Sequence, residues 1–355
     1  MEEEEEDSKS SSEYEHMKKV VQTMKNYQDD MINQHIKKQM KVFSNSPLKR
    51  KTLFADVGLL EYVDNLVNCV DANQKVLNEI LNSAELEIEE DKNTETLSID
   101  HMRLNGCLAQ IVREWSTEGQ SDRKCFQLVQ EELRSHFPEE GHQDVCVLVP
   151  GCGLARLPYE LALDGFKVVA NEQDYFQLAT ASFIMNHCSR VDNYRIYPWI
   201  HDLRNRIDTK AVTTPIPFPD IDPNEGRDME EGFQFQMISG DFLKIDEENL
   251  EHECVDAIVT TFFIDTAPNI LEYVDKIYQL LKPEGIWINF GGLNFAYDAF
   301  EATEMCIPMS LDVLKKVLQN RQFVFLRDEL VQTSYGPQSM RNTQMNCAFF
   351  TCQKK

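Results

Sequence analysis

Three short runs in this chain carry glycines and acids of the kind that hold a nucleoside. An apolar run at 145–149 stops at Pro150-Gly151-Cys152-Gly153 and gives way to helical spacing. A second apolar run, 166–170, ends at Asn171-Glu172. Strand, tight glycine turn, helix, strand and acid, in that order, make a nucleoside-cofactor site. Gly151 and Gly153 let the backbone bend sharply and approach a ligand closely. Glu172, at the tip of the second strand, can accept hydrogen bonds from both hydroxyls of a ribose. The third run, Phe235-Gln-Met-Ile-Ser-Gly-Asp-Phe-Leu, reads as another strand ending in Gly240-Asp241-Phe242. Asp241 can accept from the exocyclic amine of adenine, and Phe242 can lay an apolar ring against the base. Taken singly, a loop aspartate and a core phenylalanine are the simpler readings. Their place on the next strand tip after Glu172 raises them, because ligands of open α/β sheets bind at the carboxyl ends of strands.

Two cofactor classes compete for such a site. A dinucleotide site reads Gly-x-Gly-x-x-Gly, with the third glycine allowing close helix–strand packing and the helix N-terminus facing pyrophosphate. Arg156 stands at that third position, and its bulk and charge oppose the packing. S-adenosylmethionine has no phosphate and needs only a close backbone approach, a ribose acceptor and room for a cationic sulfonium. Gly151, Gly153 and Glu172 supply the first two. A plain strand–turn–helix without ligand is the third reading, since short glycine motifs have many false positives.

Composition narrows the class. At 355 residues, 42% hydrophobic and 27% charged, the chain is ordinary globular material with room for a large core and appendages. A net charge of -25 repels nucleic acid and anionic membranes, so neither is an expected partner. Part of that charge is the run from Glu2 to Asp7, followed by Ser8 to Ser12; residues 1–14 read as a disordered acidic tail. No apolar run approaches the ~20 residues that span a bilayer. The acidic N-terminus is unlike a secretory or mitochondrial signal. An intracellular protein is expected, in cytosol or nucleus, although Lys49-Arg50-Lys51 is too short for a nuclear signal. Ten cysteines without a Cys-x-x-Cys pair read as reduced core thiols, with neither disulfide nor metal site. Cys152 alone is placed to face a ligand, and a small residue tolerated in the turn is the simpler account.

The elements that position these runs follow from periodicity. Helical spacing covers residues 15 to about 42, 53 to about 82, 99–117 and 121–137, with an acidic linker from Glu85 to Thr96. From Asp144 the pattern alternates. Strands are expected at about 145–149, 167–171, 235–239, 255–260, 286–290, 322–327 and 346–352. Helices are expected at about 154–163, 174–187, 269–281 and 310–319. Strands separated by helices imply a mostly parallel sheet covered on both faces. The gap at about 189–234 is too long for a simple connection. It holds Tyr197-Pro-Trp-Ile-His201 and Pro215-Ile-Pro-Phe-Pro-Asp-Ile-Asp-Pro223, whose prolines argue against regular helix and suggest a folded insertion or lid. The expected organisation is a tail at 1–14, an all-helical region at 15–140, and an α/β domain at 141–355.

The motifs taken together resemble one family. They are Val149-Pro-Gly-Cys-Gly-Leu-Ala-Arg-Leu, Asn171-Glu-Gln-Asp-Tyr-Phe, Tyr197-Pro-Trp-Ile-His, Phe218-Pro-Asp-Ile-Asp-Pro, Gly240-Asp-Phe, Thr261-Phe-Phe-Ile-Asp-Thr-Ala and the upstream Gln110-Ile-Val-Arg-Glu-Trp. From about residue 15 to about 294 they are similar to the carnosine N-methyltransferases. The resemblance implies a Rossmann-like class I methyltransferase fold with a seven-stranded sheet. It implies methyl transfer from S-adenosylmethionine to the imidazole of carnosine, giving anserine. Carried over by position, Gln110, Arg113, Gly151, Glu172, Asp241 and Phe242 would bind the cofactor, alongside Gly153 from the turn itself, with Arg113 facing the methionyl carboxylate. Asp265 would be the acceptor-binding and catalytic aspartate, with Phe262 beside it. The resemblance also suggests a homodimer built on the N-terminal helices.

The acceptor half departs from the family pattern. Where the family has a histidine in a Leu-Tyr-His-Phe stretch, this chain reads Asn294-Phe-Ala-Tyr-Asp, with Ala296 in the histidine's place and Tyr297 as the nearby substitute. The family's tyrosine-rich stretch before the last strand is here Asn342-Thr-Gln-Met-Asn346. Three readings stay open on the sequence. One is methylation of carnosine or a related histidine dipeptide. The second is methylation of histidine in a peptide or protein. The third is a cofactor-binding protein that has lost catalysis.

Overall fold

The computed structural model describes residues 2–84, 100–201, 204–229, 232–245, 249–295, 307–334 and 344–355. The helices α1 (Glu2–Asp30), α2 (Lys37–Ser44), α3 (Leu48–Asp56), α4 (Leu59–Ser83), α5 (His101–Trp115) and α6 (Lys124–His136) come first, with a π-helical stretch at Met31–Ile36. Then follow β1 (Cys146–Pro150), α7 (Arg156–Leu163), β2 (Lys167–Glu172), α8 (Tyr175–His187), β3 (Tyr194–Ile196), α9 (Thr209–Thr213), β4 (Ile216–Phe218), α10 (Pro223–Met229) and β5 (Gln234–Ser239). The chain ends with β6 (Val255–Thr261), α11 (Ile270–Leu280), β7 (Leu281–Gly291), α12 (Leu311–Asn320), β8 (Phe323–Ser334) and β9 (Gln344–Lys354).

The chain divides into two compact units, Met1–Gly119 with Tyr175–Asn224 and Ser339–Arg341, and Gln120–Asp174 with Glu225–Gln338 and Asn342–Lys355. This differs from the boundary expected at residue 140. The helical unit takes in α8, β3, α9 and β4, because α8 packs on α4 and α5 and β3 packs on α4. In that unit Val20, Val21, Met24 and Tyr27 of α1 and Leu66, Val70 and Leu77 of α4 are buried, and the two helices pack together. Their spacing of three and four puts one apolar stripe on each helix.

Asn73 of α4 holds the Tyr197-Pro-Trp-Ile-His201 segment. Its Oδ1 accepts from Tyr197 N at 2.7 Å, and its Nδ2 donates to Tyr197 O at 3.1 Å and to the Tyr27 hydroxyl at 3.0 Å. Tyr27 in turn lies 2.8 Å from His201 Nε2. The Phe218…Pro223 segment is held by the backbone of Asp220, whose N donates to Trp115 O at 2.9 Å. Buried polar atoms are thus satisfied, and the segment's proline-rich backbone has partners despite little regular structure.

Several local expectations are corrected here. The acidic run expected as an unstructured tail lies inside α1, which begins at Glu2. The helix expected at 53–82 is broken between α3 and α4, where Gly58 takes φ +77°. Two short helices, α9 and α10, lie where prolines argued against helix. Pro223 opens α10, a first-turn position where a missing N–H costs nothing. The linker expected at residues 85–96 lies outside the described residues.

In the second unit the sheet runs β5-β2-β1-β6-β7-β9-β8, with the first five strands parallel and the terminal β8–β9 hairpin antiparallel, β9 pairing with β7. This is the seven-stranded, mostly parallel architecture the alternation implied. Leu148, Val169, Ile258, Trp287 and Phe350 point to one face and join the core with α11 and α12 side chains. Thr351 alternates with Phe350 and so points to the other face, where its hydroxyl donates to Glu132 of α6 at 2.6 Å. Arg327 of β8 donates to the same carboxylate at 2.6 Å. Gln130 of α6 donates to Glu160 of α7 at 3.0 Å, which sets both helices on that side.

Candidate active site

The site begins where β1, β2 and β5 end together. Gly151 and Gly153 take φ +61° and +60°, the left-handed region that a glycine enters at no steric cost. Cys152 N donates to Asn171 O at 3.0 Å, which ties the turn after β1 to the tip of β2. Glu172 closes the tie. Its Oε2 accepts from Gly153 N at 2.9 Å, and its Oε1 accepts from Gln173 N at 2.8 Å and Asp174 N at 2.9 Å. Burial pushes the Glu172 carboxyl above its ordinary range, against these three amide bonds, which favour the charged form.

Asn171 joins β2 to β5, donating to Ile238 O at 3.1 Å and Gly240 O at 2.9 Å, while Gly240 N donates to Glu172 O at 2.8 Å. Asp241 follows directly. Its Oδ1 accepts from Leu243 N at 3.0 Å, and Lys244 lies 3.7 Å from its other oxygen. The Phe242 ring, expected to lie open against a base, is only 2% exposed. It is enclosed edge-on by Phe263 and Tyr273, with centroids 5.5 and 5.4 Å away. Arg156 is also buried, with Nε 2.6 Å from Glu160 Oε1. Its charge is spent inside the unit, and the turn offers two carboxylates rather than a cationic cradle.

The second group lies after β6. Phe262 takes φ +51°, a strained conformation for a phenylalanine. Its N donates to Phe290 O at 2.8 Å, and its ring meets Phe290 edge-on at 5.8 Å. Gly291 allows the close approach beside it, because a Cβ there would lie 3.0 Å from Phe262 N and 3.1 Å from its Cα. Asp265 sits in the next turn, 8% exposed, with Oδ2 accepting from Asn294 N at 2.7 Å. Burial raises its carboxyl above the usual range, and the Asn294 amide only partly offsets this. Among the described residues Asp265 makes no ion pair.

Gln110 and Arg113 belong to the helical unit, on the last turns of α5. Glu114, 2% exposed, accepts from Gln110 Nε2 at 2.5 Å and from Arg113 Nη2 at 3.2 Å. Arg113 is therefore anchored on a buried acid and is not a solvated arginine. Tyr297, Ala296 and Asn342 lie outside the described residues.

Three positions escaped the sequence reading. Asn171 was passed over as a strand end, although a polar amide between an apolar run and an acid signals a cross-strand tie. Asn294 acts through its backbone and left no side-chain signal. Phe263 carries no signal of its own in the sequence and stands only inside the Thr261-Phe-Phe-Ile-Asp motif. In chemical terms the strand tips suit a ligand with a ribose and a cationic centre. Glu172 and Asp241 are acceptors, and Arg156, the cation of the β1–α7 turn, is paired with Glu160. No group of three or more His, Cys, Asp or Glu among the described residues is arranged to hold a metal.

Residues 89–355 match the family of carnosine N-methyltransferases. A carnosine N-methyltransferase of Rattus norvegicus is 34% identical over 356 residues, covering 96% of this chain and 86% of that protein. One from Mus musculus is 33% identical with the same coverage. Among solved structures, magnesium protoporphyrin IX methyltransferase from Synechocystis PCC 6803 with bound SAH aligns at a TM-score of 0.40 and 10% identity, over 67% of this chain and 85% of that one. By the extent of the family match and the identity held along nearly its whole length, the chain belongs to the carnosine N-methyltransferase family.

Proposed function

We propose that this protein transfers a methyl group from S-adenosylmethionine to an imidazole nitrogen of carnosine, giving anserine. The observation that carries the reading is the pairing, within one sheet, of the Gly153–Glu172 latch with a buried Asp265 that lacks an ion-pair partner among the described residues. S-adenosylmethionine supplies, when bound, an electrophilic methyl on a sulfonium. Glu172 accepts from a ribose hydroxyl through the Oε2 lone pair its three amide bonds leave over, and Gly151 and Gly153 give the close backbone approach. Asp241 accepts from the adenine amine, with Phe242 stiffening that tip from within the core. Gln110 and Arg113 hold the methionyl end.

On the acceptor side, free imidazole has a pKa near ~6.5 and is mostly neutral at pH 7, so a strong base is unnecessary. Asp265 accepts a hydrogen bond from the second ring nitrogen, fixing the tautomer that presents a lone pair to the methyl. Phe262 and Tyr297 complete the acceptor site. Alignment of nitrogen, methyl and sulfur then supplies several kcal/mol of the barrier.

Incubation of the purified protein with S-adenosylmethionine and carnosine, followed by mass spectrometry, tests this. A dipeptide heavier by one methylene supports it. Folded protein that yields no product, or label that appears only on polypeptide, refutes it.

Association of two copies through the N-terminal helices belongs to the same reading. It is supported by α3, which buries none of its residues and leaves Leu48 and Leu53 at 79 and 60% exposure, with Val57 just after it at 70%. Helices with unburied apolar side chains gain by covering them. Light scattering on Leu53→Asp and Val57→Asp variants should show a smaller particle than the parent, and a monomeric parent would refute the pairing.

A further inference from the structure

Phe263 stands between the two halves of the site. A Cβ built on Gly151 would lie 2.2 Å from Phe263 Cδ2 and 2.9 Å from Cε2, so the ring occupies the space that any other residue's side chain would need. The same ring stacks on Tyr273 at 4.7 Å and 12°, and meets Phe242 edge-on at 5.5 Å and 86°. One side chain thus touches the turn after β1 and the residue beside Asp241. Its backbone opens the turn that carries Asp265. Phe263 O accepts from Thr266 N at 3.0 Å and from the Thr266 hydroxyl at 2.7 Å. Phe262, just before it, is already in a strained conformation with φ +51°. A ring held among Gly151, Phe242 and Tyr273 has few alternative positions, because interiors are packed as tightly as crystals. The Asp265 turn therefore cannot shift along the sheet edge unless the ring leaves Gly151, Phe242 or Tyr273.

We infer that Phe263 is a positioning residue whose ring sets the spacing between the Gly151 turn and the Asp265 turn, and so aligns methyl donor and acceptor. The inference rests on the methyltransferase reading given above. Its contact half is independent of that reading. The glycine at 151 is required by the ring as well as by its φ of +61°. Removing the ring should make a methyl at 151 more tolerable, which two unrelated lesions would not do.

Four proteins test it: parent, Gly151→Ala, Phe263→Leu and the double variant. S-adenosylhomocysteine affinity is read by calorimetry, folding by thermal unfolding. Gly151→Ala should weaken binding about tenfold or more, and the double variant should recover at least about threefold over it, a coupling expected only of residues in contact. Phe263→Leu alone should lose about tenfold in kcat for carnosine methylation while its S-adenosylhomocysteine Kd changes less than about threefold, since misplacement acts on alignment. Phe263→Met, which refills more of the space, replaces Leu if that variant unfolds. Additive penalties in the double variant, or an unchanged kcat in Phe263→Leu, overturn the inference. A parent that binds no S-adenosylhomocysteine refutes the cofactor reading instead. The unfolding midpoints of the four proteins then decide the contact, and a double variant melting no higher than Gly151→Ala overturns it.

Discussion

Replacing Asp265 by asparagine keeps the side chain's shape and removes its charge. One oxygen survives to accept from the Asn294 amide, now 2.7 Å away. The other becomes an NH2 that faces the acceptor's ring N–H, donor against donor. A hydrogen bond to a charged group contributes about 1.5–3 kcal/mol, so kcat/KM for carnosine should fall about 10- to 150-fold at 1.36 kcal/mol per tenfold. Cofactor affinity should stay within about twofold, because Asp265 lies after β6 and the Gly153–Glu172 latch is untouched.

Stability should move the other way. Burial raises the Asp265 carboxyl, with Asn294 opposing, so the folded state binds this proton more tightly than the unfolded chain, whose aspartates titrate near ~3.9. A raised carboxyl favours folding at low pH, and that benefit disappears as pH climbs from the unfolded value through the folded one. The asparagine variant should therefore melt no lower than the parent at pH 7, and its relative advantage should shrink toward pH 4. Steady-state kinetics, calorimetry with S-adenosylmethionine and thermal unfolding across pH 4–8 make the assay. A kcat/KM within about threefold of the parent, or a parallel loss of cofactor binding, would refute the role given to Asp265.

Three further outcomes follow from named contacts. Glu172→Gln places an NH2 against backbone donors at Gly153 or at Gln173 and Asp174; S-adenosylmethionine Kd should rise at least about tenfold by calorimetry, and an unchanged Kd would remove Glu172 from the site. Burial raises the Glu132 carboxyl, but bonds from Thr351, Arg327 and His136 outweigh it and hold it below the ordinary value of 4.5. Its contribution is thus present above that value and lost as pH falls through the lower folded one. Glu132→Gln should cost about 1.5–3 kcal/mol in urea unfolding at pH 7 and less toward pH 4, and a gap that widens on acidification would contradict the sign. Asn73→Ala leaves Tyr197 N and O without their side-chain partner and should cost about 2–3 kcal/mol, read as a lower urea midpoint, whereas an unchanged midpoint would show that the segment is held elsewhere.

The sequence by itself determined the features that local chemistry governs. Apolar runs ending at Pro150-Gly151 and at Asn171-Glu172 marked β1 and β2, Gly240-Asp241 marked the end of β5, and the two glycines with the acid at the tip of β2 pointed to a nucleoside cofactor. These signals are readable because backbone conformation at Gly151 and Gly153 depends on the residue itself, and a buried strand must be apolar along its whole length. Tertiary structure decided everything that depends on a distant partner. Phe242 looked like a wall for a base until Phe263 and Tyr273 closed around it. Glu114, which anchors Arg113, is buried only because α5 packs into its unit. The Tyr197 segment is fastened by Asn73, 124 positions away in sequence. Phe263 acquired its place only when β6 came to lie beside β1, which set its ring against a glycine 112 residues earlier. A contact between residues so far apart leaves no periodicity in a single chain, because each side chain's identity fits an ordinary core, and only the register of the sheet brings the two together.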